Sequence, residues 1–127
     1  MLFRIVFACI LIANNLNNAF SQEKAYVEWG KKTHDFGQID TKNSKVVFEE
    51  FSFNVKSNTP FVIHKASVSC GCVRVEYPKH PIKMGERGKI KVYYDSKNQT
   101  GRFDKRIFLE SNVDKEVCVL RIKGVVK

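Results

Sequence analysis

From Tyr26 onward, apolar residues recur at every second position, and no window carries the 3.6-residue stripe of an amphipathic helix. In VVFEEFSFNV, Val47, Phe51, Phe53 and Val55 share one face, opposed by Glu50, Ser52 and Asn54. KIKVYY sets Ile90, Val92 and Tyr94 against Lys89, Lys91 and Tyr93. RFDKRIFLE groups Phe103, Ile107 and Leu109, with Lys105 as the exception. VCVLRIKGVV groups Cys118, Leu120 and Ile122 opposite Val117, Val119, Arg121 and Lys123. Each run reads as a half-buried strand with one wet side. Between them stand FGQIDTKNS, KSNTP, YPKHP, KMGERG, DSKNQTG and ESNVDK, which supply Gly, Pro, Asn, Asp or Ser where the chain must reverse. About seven to eight short strands without helices predict an all-β fold, a single antiparallel immunoglobulin-like β-sandwich. A small barrel is the competing arrangement.

Residues 1–21 break the alternation. Arg4 is followed by an apolar run from Ile5 to Ala13, an Asn-rich stretch, and Ala19-Phe20-Ser21. That is the layout of a secretory signal peptide, with cleavage expected before Gln22. The apolar run is about half of the ~20 residues that a membrane-spanning helix needs. The expectation is therefore an exported domain over 22–127, periplasmic or extracellular, with no transmembrane segment after cleavage. Cys9 then belongs to the leader.

Twenty-two Lys and Arg against 13 Asp and Glu give a formal net charge of +9. The basic residues are scattered, and the densest groups, KKTHD and GERGKIK, do not interleave with aromatics, so nucleic acid is not the expected partner. A solvated basic face that aids solubility fits better, and weak attraction to an anionic envelope polymer or an acidic partner is the alternative.

Three cysteines remain after the leader: Cys70, Cys72 and Cys118. In an oxidising compartment an odd number leaves at least one thiol over. On a flat strand, residues i and i+2 share a face with Cα atoms about 6.7 Å apart, the outer limit for a disulfide. Gly71 offers a way to close that distance, because glycine can take a positive φ and pinch the chain. A ring this small removes little unfolded-state entropy, which makes it a poor staple and a better candidate for redox exchange. A bridge from Cys118 to either cysteine would close a long loop and staple far better. The residues leave all three pairings open. Two thiolates on one face also make a half-site for copper(I) or zinc, which His64 or His80 could complete.

Other candidates point to structure. His34-Asp35 opens HDFG, where a turn with Asp35 accepting backbone amides is expected. Trp29 and Tyr26 are expected in the core. Asn98-Gln99-Thr100 fits a glycosylation pattern relevant only to a eukaryotic secretory pathway. No phosphate loop, acidic metal cluster or nucleophile elbow is visible, so neither an enzyme nor a cofactor is expected.

HDFGQI at 34–39, FEEFSFNVKSNTPFVI at 48–63, SCGC at 69–72, PIKMGERGKIKVYY at 81–94, GRFDKRIFLESN at 101–112 and a closing LRIKGVV occur in this order. Together they resemble the domain of unknown function 1573 family, exported immunoglobulin-like domains common in Bacteroidetes. The resemblance implies a sandwich similar to that of ciliary and sperm-protein immunoglobulin-like domains, whose relatives bind other proteins, and it implies no established reaction. The chain departs from the family at Met84, where proline usually precedes Gly85, and at Thr59-Pro60, where Asn-Thr-Gly is usual. The first change is expected to loosen a turn without touching the cysteines. The expectation is a binding or adaptor module of the cell envelope, with a thiol site at Cys70 and Cys72 as the alternative.

Overall fold

A computed structural model describes residues 24–43, 45–113 and 117–127; the expected leader lies outside them. Among the described residues every regular element is a strand: β1 (Val27–Trp29), β2 (Thr33–Ile39), β3 (Val46–Val55), β4 (Ile63–Val68), β5 (Val73–Glu76), β6 (Arg87–Asp95), β7 (Gly101–Ser111) and β8 (Cys118–Val126). None of those residues forms a helix long and apolar enough to cross a membrane. The strands make two four-stranded sheets, ordered β1-β3-β6-β5 and β2-β8-β7-β4.

The first sheet is antiparallel throughout. The second is mixed, because β2 runs parallel to β8 while β4, β7 and β8 alternate in direction. The wholly antiparallel expectation is corrected here. Period-two patterning chooses which face of a strand is buried but not the direction of its neighbour, and no hairpin ties β2 to β8. The HDFG segment also differs from expectation. It lies inside β2, where the register shifts between Asp35 and Gln38. Gly37 takes a φ of 69° at this bulge, and its N–H donates to Asp35 Oδ1 at 2.8 Å. The amide-accepting role of Asp35 stands, but in a bulge rather than a strand-opening turn.

The inward faces are those the alternation marks. Phe51, Phe53 and Val55 meet Ile90, Val92 and Tyr94 from one sheet, and Phe103, Ile107, Leu109, Leu120 and Ile122 from the other, all buried. Burying side chains of this size contributes roughly 1.5–3 kcal/mol each. Trp29 packs against this core, whereas Tyr26 is 62% exposed. Tyr26 stands just ahead of β1, outside the strand that carries Trp29.

Two glycines let the core close. Gly88 is the cross-strand partner of Phe53, and Gly124 that of Phe103. A Cβ on Gly88 would overlap the Phe53 ring, and one on Gly124 would lie 2.8 Å from Phe103 Cε1 and 2.9 Å from the Gly37 carbonyl oxygen. Each ring therefore lies across its neighbouring strand. From there Phe53 reaches Trp29 at 5.0 Å and Phe61 at 5.1 Å, while Phe103 stacks on Tyr94 of the other sheet at 4.0 Å.

Beside this core, Lys31 Nζ and His34 Nδ1 lie 3.3 and 3.0 Å from Glu49 Oε2 and tie the β2 side to β3. Partial burial pushes the Glu49 carboxyl up, but the Glu50 amide, Lys31 and His34 outweigh it and hold it below its ordinary value. Arg121 holds Asp104 low in the same direction through a paired contact.

Gly88→Ala and Gly124→Ala should each lower stability by about 1–3 kcal/mol through overpacking, read as a shift in urea midpoint at constant slope. An unchanged midpoint would contradict the ring-on-glycine packing. Because both carboxyls have depressed folded-state pKa values, their contribution is complete above the ordinary carboxylate range and fades as pH falls through it. Glu49→Gln and Asp104→Asn should flatten that acid limb in urea titrations run from neutral to acid pH.

Candidate functional site

β4 belongs to one sheet and β5 to the other, so Ser69–Cys72 carry the chain across the side of the sandwich. The Val73 N–H donates to the Cys70 carbonyl at 3.2 Å, which closes a tight turn. The Asp95 N–H donates to the Cys72 carbonyl at 2.8 Å and anchors that turn to the end of β6. Within it the Cys72 N–H points at Cys70 Sγ, 3.2 Å away.

The turn does what a flat strand cannot. The Cα atoms of Cys70 and Cys72 are 5.2 Å apart and their sulfurs 1.97 Å apart, so the structure holds them as a bonded pair. The expected pinch is real, but its cause differs. Gly71 is not among the positive-φ glycines, which are Gly37, Gly85 and Gly101. The change of sheet forces the reversal, and Gly71 sits on its exposed tip, where an added Cβ would meet nothing within 4 Å.

The third thiol stays apart. Cys118 is free and half-buried at the start of β8, opposite Leu109 of β7. Burial pushes its pKa up, and Lys32 offsets part of that rise. His64 is exposed on β4, and His80 is exposed between β5 and β6. Neither joins the cysteines: among the described residues, no group of three or more His, Cys, Asp or Glu gathers where it could hold a metal. A metal at Cys70 and Cys72 would need the reduced pair, because a bonded sulfur offers no thiolate.

Next to the turn lies a surface that alternation alone does not reveal. Phe48, Tyr93 and Arg74 form one cross-strand row on the outer face of the β1-β3-β6-β5 sheet, two residues along from the Cys72 anchor. The two rings are 5.8 Å apart, and the Arg74 guanidinium lies 4.2 Å from the centre of Tyr93. Lys91 Nζ lies 4.2 Å from the Phe48 ring and 5.0 Å from that of Tyr93. The Tyr93 hydroxyl donates to Glu76 at 3.2 Å, and its bond to Lys91, outweighing a small desolvation, keeps that ammonium charged to higher pH than usual. Phe48 is 53% exposed despite its size. The available signal was its phase: in VVFEEFSFNV it falls opposite Phe51 and Phe53, on the polar side.

Residues 27–126 match the family described as Protein of unknown function (DUF1573). No curated protein matches the chain by sequence. In fold it is similar to a protein of unknown function from Porphyromonas gingivalis, with 12% identity, a TM-score of 0.69, and 87% of this chain and 51% of that one covered. It is also similar to the ASH / PapD-like domain 7 of human CEP192, with 11% identity, a TM-score of 0.65, and 91% and 95% covered. The VesB protease of Vibrio cholerae gives 12% identity, a TM-score of 0.62, and 81% and 32% covered. The chain thus spans about half of the Porphyromonas structure and a third of the protease. Identities this low show a shared β-sandwich and carry no activity across.

Because a three-residue ring removes so little chain entropy, Cys70→Ser with Cys72→Ser should cost no more than about 1.5 kcal/mol of stability. Gly71→Ala should stay within about 0.5 kcal/mol of the parent. Non-reducing peptide mapping should return a Cys70–Cys72 peptide and an alkylatable Cys118. A bridge to Cys118 would overturn the assignment.

Proposed function

We propose that this chain, which belongs to the DUF1573 family, is an exported single-domain module of the cell envelope that binds a protein or envelope-polymer partner. The observation that carries this reading is the Phe48–Tyr93–Arg74 row. Aromatic and arginine side chains supply most of the energy at recognition surfaces, since they bury large area while losing few rotamers. Here they stand on an outer face with no core duty. Arg74 and Lys91 are held over the rings, which arranges charge and apolar area before any partner arrives. The leader-like N-terminus supports export, and the sandwich is a scaffold compatible with binding.

A second reading rests on the bonded Cys70–Cys72 pair in its exposed turn. In thiol–disulfide exchange, an incoming thiolate attacks one sulfur to form a mixed disulfide and releases the other as a thiolate, which a second thiol can use. The small ring suits that step better than it suits stapling.

Capture from envelope extracts, under both oxidising and reducing conditions, tests the first reading. The parent chain should retain a partner, and Phe48→Ala with Tyr93→Ala should weaken retention at least tenfold, as loss of central aromatic anchors does, on the order of 1.4 kcal/mol or more. No capture above background under either condition would sink the binding reading, and undiminished capture by the double variant would remove the row from it. For the exchange reading, the Cys70–Cys72 pair should equilibrate with a glutathione buffer by mass spectrometry. A pair that never opens in that buffer would eliminate it.

A further inference from the structure

Among the described residues, the beginning of β8 at the β1 edge of the sandwich has no strand beside it. β2 first meets β8 at Thr33 and Arg121, where the Arg121 N–H donates to the Lys32 carbonyl at 2.8 Å. Yet β8 starts at Cys118, and on its other side β7 pairs with it from that residue on. Along a strand, the backbone groups of alternate residues point to the same edge. Val119 therefore turns its N–H and C=O to the edge that Arg121 uses for Lys32, and among the described residues the pairing of β2 with β8, which begins at Thr33 and Arg121, does not reach it. Leaving such groups to water is cheap, but they form a ready template for another strand.

Beside that vacant edge is a groove of about 400 Å³ between β1 and β8, lined by Tyr26, Trp29, Phe61, Val117 and Val119, with Cys118 in its wall. Tyr26 is 62%, Val117 50% and Val119 37% exposed, a concentration of apolar surface that the described residues leave uncovered. Lys32 is the cation among the described lining residues, which are mostly apolar apart from Ser111, and its charge is felt at the Cys118 sulfur. The volume suits a few aliphatic side chains rather than a large cofactor.

We propose that this groove binds the C-terminal end of an extended apolar peptide, added as a short parallel strand beside Val117–Leu120 with its carboxylate at Lys32. Three features select that occupant together. The free backbone edge at Val119 calls for another backbone. The apolar lining calls for aliphatic side chains at alternate positions. A strand that continues the line of β2 and runs parallel to β8 must stop where Lys32 enters, and there an ammonium can meet a terminal carboxylate. The groove is separate from the Phe48–Tyr93–Arg74 row, so capture through that row can fail without affecting this assignment, and the reverse also holds.

The test uses the full chain with its Cys70–Cys72 pair intact and an acetylated Val-Thr-Val-Val peptide with a free carboxylate as the probe. Two readouts report on the groove itself: the rate at which iodoacetamide labels Cys118, resolved by peptide mapping, and the shift of the Val119 amide in a nitrogen-15 spectrum. Peptide addition should slow labelling several-fold at saturation and move the Val119 amide. The same peptide ending in an amide should bind about tenfold more weakly, as expected for loss of one charge-assisted hydrogen bond. Lys32→Glu should abolish that preference, and Val119→Pro, which deletes the edge donor without touching the bonds to β7, should abolish binding. Unchanged labelling and an unmoved Val119 amide at the peptide's solubility limit would overturn the proposal. Equal binding of acid and amide would overturn the role of Lys32, and equal binding by Val119→Pro would overturn strand addition.

Discussion

Two phenylalanine rings lying across two glycines govern how closely the sheets approach. In each sheet one strand brings a ring, Phe53 or Phe103, to a position where its neighbour has Gly88 or Gly124 and nothing larger fits. The ring can then lie flat over the neighbouring backbone and fill the gap that a small inward residue would otherwise leave. The Phe103–Tyr94 stack joins the two sheets directly, and the Phe53 contacts with Trp29 and Phe61 seal the β1 edge. Both arrangements depend on register, because slipping either strand by one residue would set the ring against a side chain and turn it to the outer face.

That register also produces the surfaces with functional meaning. Pairing Phe53 with Gly88 aligns Phe48 with Tyr93, and β5 then brings Arg74 beside them. The same sheet ends at Asp95, whose amide anchors the Cys70–Cys72 turn. Aromatic row and bonded cysteine pair are thus neighbours because one strand, β6, supports both. At the other edge, β2 joins β8 only from Arg121, and the shortfall leaves an apolar groove with an open strand edge and a buried-side thiol.

Much of the scaffold was legible in the residues. The inward sets of β3, β6, β7 and β8 were readable because each strand has one dry and one wet face. Side-chain type alone puts Tyr26 in the core, but it stands just ahead of β1 and is exposed. The Cys70-Gly71-Cys72 pair stood out by spacing, but the route to closure did not. A glycine with permissive φ was the local explanation available, whereas the actual cause is a crossing between sheets that involves β4, β5 and β6. Phe48 carried a readable signal, an aromatic out of phase with its strand, but it gained meaning only beside Tyr93 and Arg74.

By itself, the order of apolar and polar residues determined that this chain forms strands, which faces they bury, and which family it belongs to. These depend on period-two alternation and short motifs, which are properties of neighbours along the chain. Tertiary structure decided the parallel entry of β2, the pairing of rings with glycines, the bonding of Cys70 to Cys72 while Cys118 stays free, and the point, Arg121, at which β2 joins β8. Each requires residues far apart in sequence to be brought to a particular register. Alternation leaves that choice open, and it is settled by which side chains can pack against one another.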